Sequence, residues 1–141
     1  MNFKLHPQLT ADTHLIMDLP LCRALLMPDA DFYWVILVPR INDIREIHEL
    51  TAAQQHQLID ESSMVSQVLS TRFNADKINI GALGNMVPQL HIHHIARFQG
   101  DVAWPGPVWG NTRGEKRDDA TIVTLIECLK TDFEQSLNIG I

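Results

Sequence analysis

Apolar positions along the chain fall into blocks, and their spacing switches between a strand period and a helix period. Residues 19–27, Leu-Pro-Leu-Cys-Arg-Ala-Leu-Leu-Met, form an apolar run entered through a proline. Residues 32–38, Phe-Tyr-Trp-Val-Ile-Leu-Val, form a second, rich in β-branched and aromatic side chains. Both read as strands. Pro28-Asp29-Ala30-Asp31 between them is turn chemistry, and Pro39 stops the second run. The two predict an antiparallel hairpin. A strand apolar throughout is expected to be buried on both faces, as a central strand is.

The period then lengthens. Thr51-Ala-Ala-Gln54 fits a capping box, with a hydroxyl at the cap and an amide three residues later. Leu58, Val65, Leu69 and Phe73 fall on one stripe with Ser62 filling its gap, while Gln54, Gln57 and Glu61 supply the polar side. A helix over 51–73 is predicted, ended by Asn74-Ala75-Asp76. Ile59, Met64 and Val68 lie outside the stripe, so part of this helix is expected to pack against a two-fold mate. Residues 77–83 read as a strand with Ile78, Ile80 and Ala82 on one face. Gly84 to Pro88 makes a turn, and residues 89–97 form a fourth strand. Residues 100–114 are rich in glycine, proline and tryptophan and predict an irregular loop. Ile122, Leu125, Ile126, Leu129 and Phe133 recur at helical spacing over 119–133. Strands in pairs, divided by one long helix and closed by another, indicate an α+β fold with an antiparallel sheet. No repeat, linker or low-complexity tract interrupts it, so residues 1–141 read as one domain. Glycine-rich phosphate loops of the Walker or dinucleotide type are absent from the sequence.

Composition narrows the functional classes. With 141 residues, 45% hydrophobic and 20% charged, the chain is sized and composed for one globular domain and not for disorder. A formal net charge of -6 argues against a polymeric nucleic acid partner, which selects for basic surfaces. The longest basic cluster, Arg113-Gly114-Glu115-Lys116-Arg117, is broken by an acid and reads as a solvated loop. No apolar run reaches the ~18 residues of a membrane span, and the N-terminus lacks the apolar core of a signal peptide. A cytoplasmic protein without a membrane partner is expected. Cys22 and Cys128 belong to no C-x-x-C pair and read as small buried hydrophobes.

The chemistry concentrates in residues 89–94, Gln-Leu-His-Ile-His-His. On a strand, Gln89, His91 and His93 share one face, and Leu90, Ile92 and His94 the other. Same-face neighbours about 6.5–7 Å apart can span a phosphate and the bridging oxygen beside it. One imidazole can attack phosphorus while the next donates to the oxygens. Three readings stand side by side. A plain core accepts few unpaired polar groups. A metal site needs a third ligand, with only the scattered His6, His14, His48 and His56 on offer. Nucleophilic phosphoryl chemistry needs no further partner class and fits best.

Around these residues the sequence resembles a known family. Gly84-Asn-x-Val-Pro-Gln-Leu-His-Ile-His-His-Ile-Ala-Arg97 is similar to the signature of the histidine triad (HIT) superfamily, His-φ-His-φ-His-φ-φ with φ apolar, and resembles most its bacterial diadenosine tetraphosphate hydrolase-like branch. The Leu26-Met-Pro-Asp-Ala turn, Trp34-Val-Ile-Leu-Val-Pro-Arg40 and Trp104-Pro-Gly-Pro-Val-Trp109-Gly resemble that branch too, so the likeness covers residues 20–110.

The resemblance implies an antiparallel sheet of about five strands with a long helix and a C-terminal helix, paired as a homodimer. It implies a nucleotide or dinucleoside polyphosphate as partner, and hydrolysis or nucleotidyl transfer at the α-phosphate through a covalent nucleotidyl-histidine. His91 then stands at the position of the nucleophile and His93 at that of the third triad histidine; no cofactor or metal is obligatory. Departures accompany the match. Gln89 replaces the first histidine and cannot carry charge. His94 stands where an apolar residue is expected and reads as a partly exposed strand-end residue. Pro28 stands where relatives carry a ribose-binding Asn or Asp, with Asp29 next along, and Asn85 is the nearest polar residue to the missing phosphate-contacting hydroxyl. Asn85, Asp29, Met27 and Trp104 complete the expected substrate contacts. Trp34 reads as core, whereas Trp104 and Trp109 have equal claims as core and as pocket cover. His6, His14, His48 and His56 read as surface residues in helices or loops. The alternative reading is a non-catalytic nucleotide-binding or dimeric interaction module on the same fold.

Overall fold

The computed structural model describes residues 2–140, with side chains described to Asn138. Five antiparallel strands form one sheet in the order β1-β2-β3-β5-β4: β1 His14–Asp18, β2 Cys22–Leu26, β3 Tyr33–Pro39, β4 Lys77–Gly81 and β5 Ile92–Arg97. Three α-helices accompany it: α1 Pro7–Asp12, α2 Ala52–Phe73 and α3 Asp119–Gly140. The α+β expectation holds, and β3, apolar on both sides, is the central strand. Its register pairs Leu25 with Ile36 on one side and His93 with Ile36 on the other.

Alternation sorts the sheet into two faces. Cys22, Ala24, Leu26, Val35, Leu37, Ile92 and Ala96 turn toward α2 and α3, where they meet Leu58, Val65, Leu69, Leu129 and Phe133. Leu25, Trp34, Ile36, Val38 and Ile95 turn the other way, under Leu9, Phe32 and Val108. The face with the helices carries the larger core; the second is roofed by α1 and irregular chain.

Helix α2 begins as its sequence dictates. Thr51 Oγ1 accepts from the Gln54 amide at 3.2 Å and Gln54 Oε1 accepts from the Thr51 amide at 2.9 Å, while Asn74 ends the helix in the left-handed region at φ 53°. Phe73 stacks on Tyr33 with ring centroids 3.7 Å apart.

Several expectations need correction. Residues 19–27 do not form one strand: Leu19 N–H donates to Cys22 O in a turn, and pairing starts at Cys22. α1 and β1 carry too few residues for a clear period, and His14 opens a strand. β4 ends at Gly81, β5 starts only at Ile92, and α3 continues past 133 to Gly140. Glu61 is buried, not on a solvated side; its carboxylate accepts from the Leu21 and Cys22 amides, both at 2.8 Å. Of the three residues outside the α2 stripe, Val68 is buried, Met64 packs on the core and Ile59 alone stays 60% exposed. Arg113 is not merely solvated, because it pairs with Asp31. Among the described residues, no helix is long and apolar enough to cross a membrane.

Candidate functional site

His91 lies just before β5 and His93 is its second residue. Their rings face the side of the sheet away from α2, with centroids 5.0 Å apart and planes at 64°. Each residue is only 7% exposed. His91 Nδ1 lies 2.7 Å from Gln89 O. A carbonyl can only accept, so Nδ1 carries the proton, and in the neutral ring the lone pair is on Nε2.

Two further side chains enclose His93. Trp34 on β3 donates its indole N–H to His93 Nδ1 at 2.9 Å. Trp109 stands edge-on to the imidazole, centroids 5.3 Å apart and planes at 84°. Gly81 makes room for it: a Cβ there would meet Trp109 Cη2 at 2.8 Å. Burial first, then the neighbouring His91 and His94, push His93 down to about 4 from its usual range. Sequence pattern read Trp34 as core and so missed it as a neighbour of the site, whereas it left Trp109 equal claims as core and as pocket cover. The available signal for Trp34 was its parity, which puts it on the face of Ile36 opposite the His93 register position.

Gln89 takes a different position from a free strand residue. It precedes β5, and its amide is committed to the N-terminal segment, accepting from His6 N–H at 2.7 Å and donating to Lys4 O at 3.0 Å. His94 is not partly exposed. It is fully buried on the α2 face, where Nε2 meets Ser62 Oγ at 2.7 Å and Nδ1 meets Val35 O at 3.3 Å. Burial lowers it to about 4.

Two small cavities lie by the site, one lined by His91 and the other by Trp34. One of about 180 Å³ is lined by His91, Gln89, Pro88, Gly84 and Arg45. The other, about 210 Å³, is lined by Met27, Asp29, Trp34, Thr112 and Lys116. Met27 and Asp29 therefore sit beside the indole that bonds His93. Asp29 is itself buried, its carboxylate accepts from Asp31 N–H at 2.8 Å, and its backbone pairs antiparallel with that of Lys116 in an isolated bridge. Asn85 is exposed on the turn before β5 and lines neither cavity, and Trp104 lines neither and packs over the Arg97 guanidinium, 5.7 Å from its ring centroid. Arg97 is almost fully buried, bonds Asp101, Asn79 and Gly106 O, and so anchors the loop that delivers Trp109. Among the described residues no group of three or more His, Cys, Asp or Glu is placed to hold a metal ion. The pair can present a lone pair, from His91, and a hydrogen-bond donor, from His93, to one phosphate.

Comparison with known proteins places this geometry. A HIT domain model matches residues 8–100. Compared with curated proteins, the chain finds no match. Among solved structures, a histidine triad protein of Marinobacter aquaeolei VT8 is 49% identical with a TM-score of 0.92, covering 96% of this chain and 98% of that one. A histidine triad protein of Bradyrhizobium japonicum is 45% identical at TM-score 0.91, covering 94% and 99%. A hypothetical histidine triad nucleotide-binding protein of Sulfolobus tokodaii strain7, 14% identical at TM-score 0.68 over 88% and 85%, shares the fold.

Proposed function

The chain belongs to the HIT domain family, and from that premise we propose that it binds a nucleotide and cleaves it at the α-phosphate through a covalent bond to His91. The observation that carries the reading is the contact between His91 Nδ1 and Gln89 O at 2.7 Å. It leaves the Nε2 lone pair free beside a second imidazole and stabilises the positive ring that forms when Nε2 bonds phosphorus. The bond to the leaving group breaks with its electron pair on the departing atom. Water then displaces the nucleoside monophosphate, and the electron pair of the P–N bond returns to Nε2. His93 contributes a hydrogen bond to the phosphate oxygens. Met27 and Asp29 line the neighbouring cavity and are assigned to the nucleoside; Asn85 and Trp104 take part only if substrate draws their segments inward.

Diadenosine tetraphosphate is the first substrate to test, on the resemblance to that hydrolase branch. Rapid quench with a labelled dinucleotide is expected to trap an acid-labile adduct on the parent protein and none on His91→Ala. His93→Ala is expected to keep slow turnover, ~10²–10³ below the parent, because it loses a donor and not the nucleophile. Parent-like hydrolysis by His91→Ala would remove the catalytic assignment.

One observation favours the second reading, a nucleotide-binding module without turnover. Gln89, at the first triad position, is committed to His6 N–H and Lys4 O and is not free to orient a phosphate for attack. Nucleotide binding without adduct or product is the outcome that selects it. We also propose a homodimer with Ile59 at its interface and a cytoplasmic location; a monomeric mass at micromolar concentration overturns the first.

A further inference from the structure

We propose that Trp34 is a positioning residue that holds His93 as an uncharged imidazole donating through Nε2, and that the site is thereby matched to phosphoric anhydrides over phosphoramidates. The substrate half rests on the reading above; the tautomer half does not.

An indole nitrogen has a proton and no available lone pair, so it can only donate. Trp34 Nε1 faces His93 Nδ1 at 2.9 Å, and Nδ1 must accept. The single proton of the neutral ring is then on Nε2. Protonating Nδ1 would set two N–H groups against each other at that distance. Trp34 and His93 are 5% and 7% exposed, so water does not stand in for either partner. The remaining neighbours offer no counter-charge: β3 supplies Ile36, β4 supplies Gly81, and the loop supplies Trp109. His91 and His94 are the titratable groups acting on the ring, and a charge on either would oppose one on His93. Burial acts in the same direction.

The two imidazoles are thus set in opposite tautomers. His91 donates from Nδ1 to Gln89 O and presents a lone pair at Nε2, whereas His93 accepts at Nδ1 and presents a proton at Nε2. This separation has a chemical consequence. When His91 attacks an anhydride, the P–O bond breaks with its pair on the bridging oxygen, and the departing phosphate is stable as an anion. A hydrogen bond from His93 suffices. When it attacks a phosphoramidate, the P–N bond breaks with its pair on nitrogen, which must gain a proton to leave as an amine. Neutral His93 has only its last N–H, which an imidazole does not release near neutral pH. Gln89, where the triad signature has its first histidine, has no acidic proton at all.

The test combines spectra and rates on the full chain. Nitrogen-15 histidine side-chain spectra of the free protein between pH 5 and 8 are expected to show His93 Nδ1 unprotonated throughout. In Trp34→Phe, which keeps a ring and loses the donor, His93 is expected to populate the Nδ1–H form. Paired rates with diadenosine tetraphosphate and adenosine 5′-phosphoramidate are expected to favour the anhydride in kcat/KM by ~10²–10⁴, the usual contribution of a general acid. A protonated or titrating Nδ1 in that range overturns the tautomer assignment, and the parent spectra decide it even if Trp34→Phe does not fold. Equal or faster phosphoramidate cleavage overturns the substrate assignment. Turnover of neither overturns that half together with the function it rests on, while the spectra still decide the tautomer.

Discussion

Ser62 on α2 and His94 on β5 meet 2.7 Å apart in the main core, directly behind the strand face that carries His93. Val35 O can only accept, so His94 donates from Nδ1 and accepts a hydrogen bond from the Ser62 hydroxyl at Nε2. Ser62→Ala strands that acceptor and is expected to destabilise the fold by about 1–3 kcal/mol, read as a fall in the urea midpoint. A variant as stable as the parent would show that the contact contributes nothing.

His93 and His94 are both lowered to about 4 by burial, against an ordinary 6.5. Both are neutral when folded and charge on unfolding below pH 6.5. Their contribution is fully present above 6.5 and is lost as pH falls toward 4, with a slope of about 1.4 kcal/mol per pH unit for each histidine. Urea midpoints at pH 7.5, 5.5 and 4.5 are expected to decline in that order. A flat profile down to pH 5 contradicts the burial argument.

Glu61 bonds two backbone amides at the start of β2 and also accepts from Gln57 Nε2 at 2.7 Å. Glu61→Ala leaves the Leu21 and Cys22 N–H groups buried without acceptors, a cost of about 2–5 kcal/mol. Glu61→Gln keeps one acceptor oxygen and is expected to lose less. Denaturant titrations that rank the two in the opposite order exclude this account.

Arg97 and Asp101 are a buried ion pair, 2.8 Å apart, with Asp101 held down at about 2 by that contact. Asp101→Ala leaves the guanidinium partly unmatched and is expected to cost about 3–5 kcal/mol. The loop bearing Trp109 loses its anchor, so its tryptophan fluorescence is expected to shift as well. Unchanged emission with lost stability would separate the pair from the loop.

Gln89→His looks, from the motif alone, like a restoration of the triad that leaves activity intact or raised. The structure changes that expectation, because Gln89 holds His6 N–H and Lys4 O at once. An imidazole at that position cannot keep both contacts in this planar amide geometry. Faster hydrogen exchange at the His6 amide is expected in Gln89→His and Gln89→Ala alike; parent-like protection in both counts against the tether.

What the sequence determined by itself was everything carried by local pattern. The central β3, the capped α2 and the Gln-x-His-x-His-His segment were legible because alternation, helical stripe and cap chemistry act between residues near in sequence. What only the tertiary structure decided was pairing at long separation. Nothing local tells that Trp34 finds His93 fifty-nine residues on, that Glu61 turns inward to two amides forty and thirty-nine residues back, or that Gln89 ties down the segment of Lys4 and His6. A polar side chain on a strand or helix has the same local signature whether it faces water or a buried partner. Only packing, by removing water, makes the difference between a solvated glutamate and the carboxylate that caps β2, and between a free imidazole and one whose proton is placed for it.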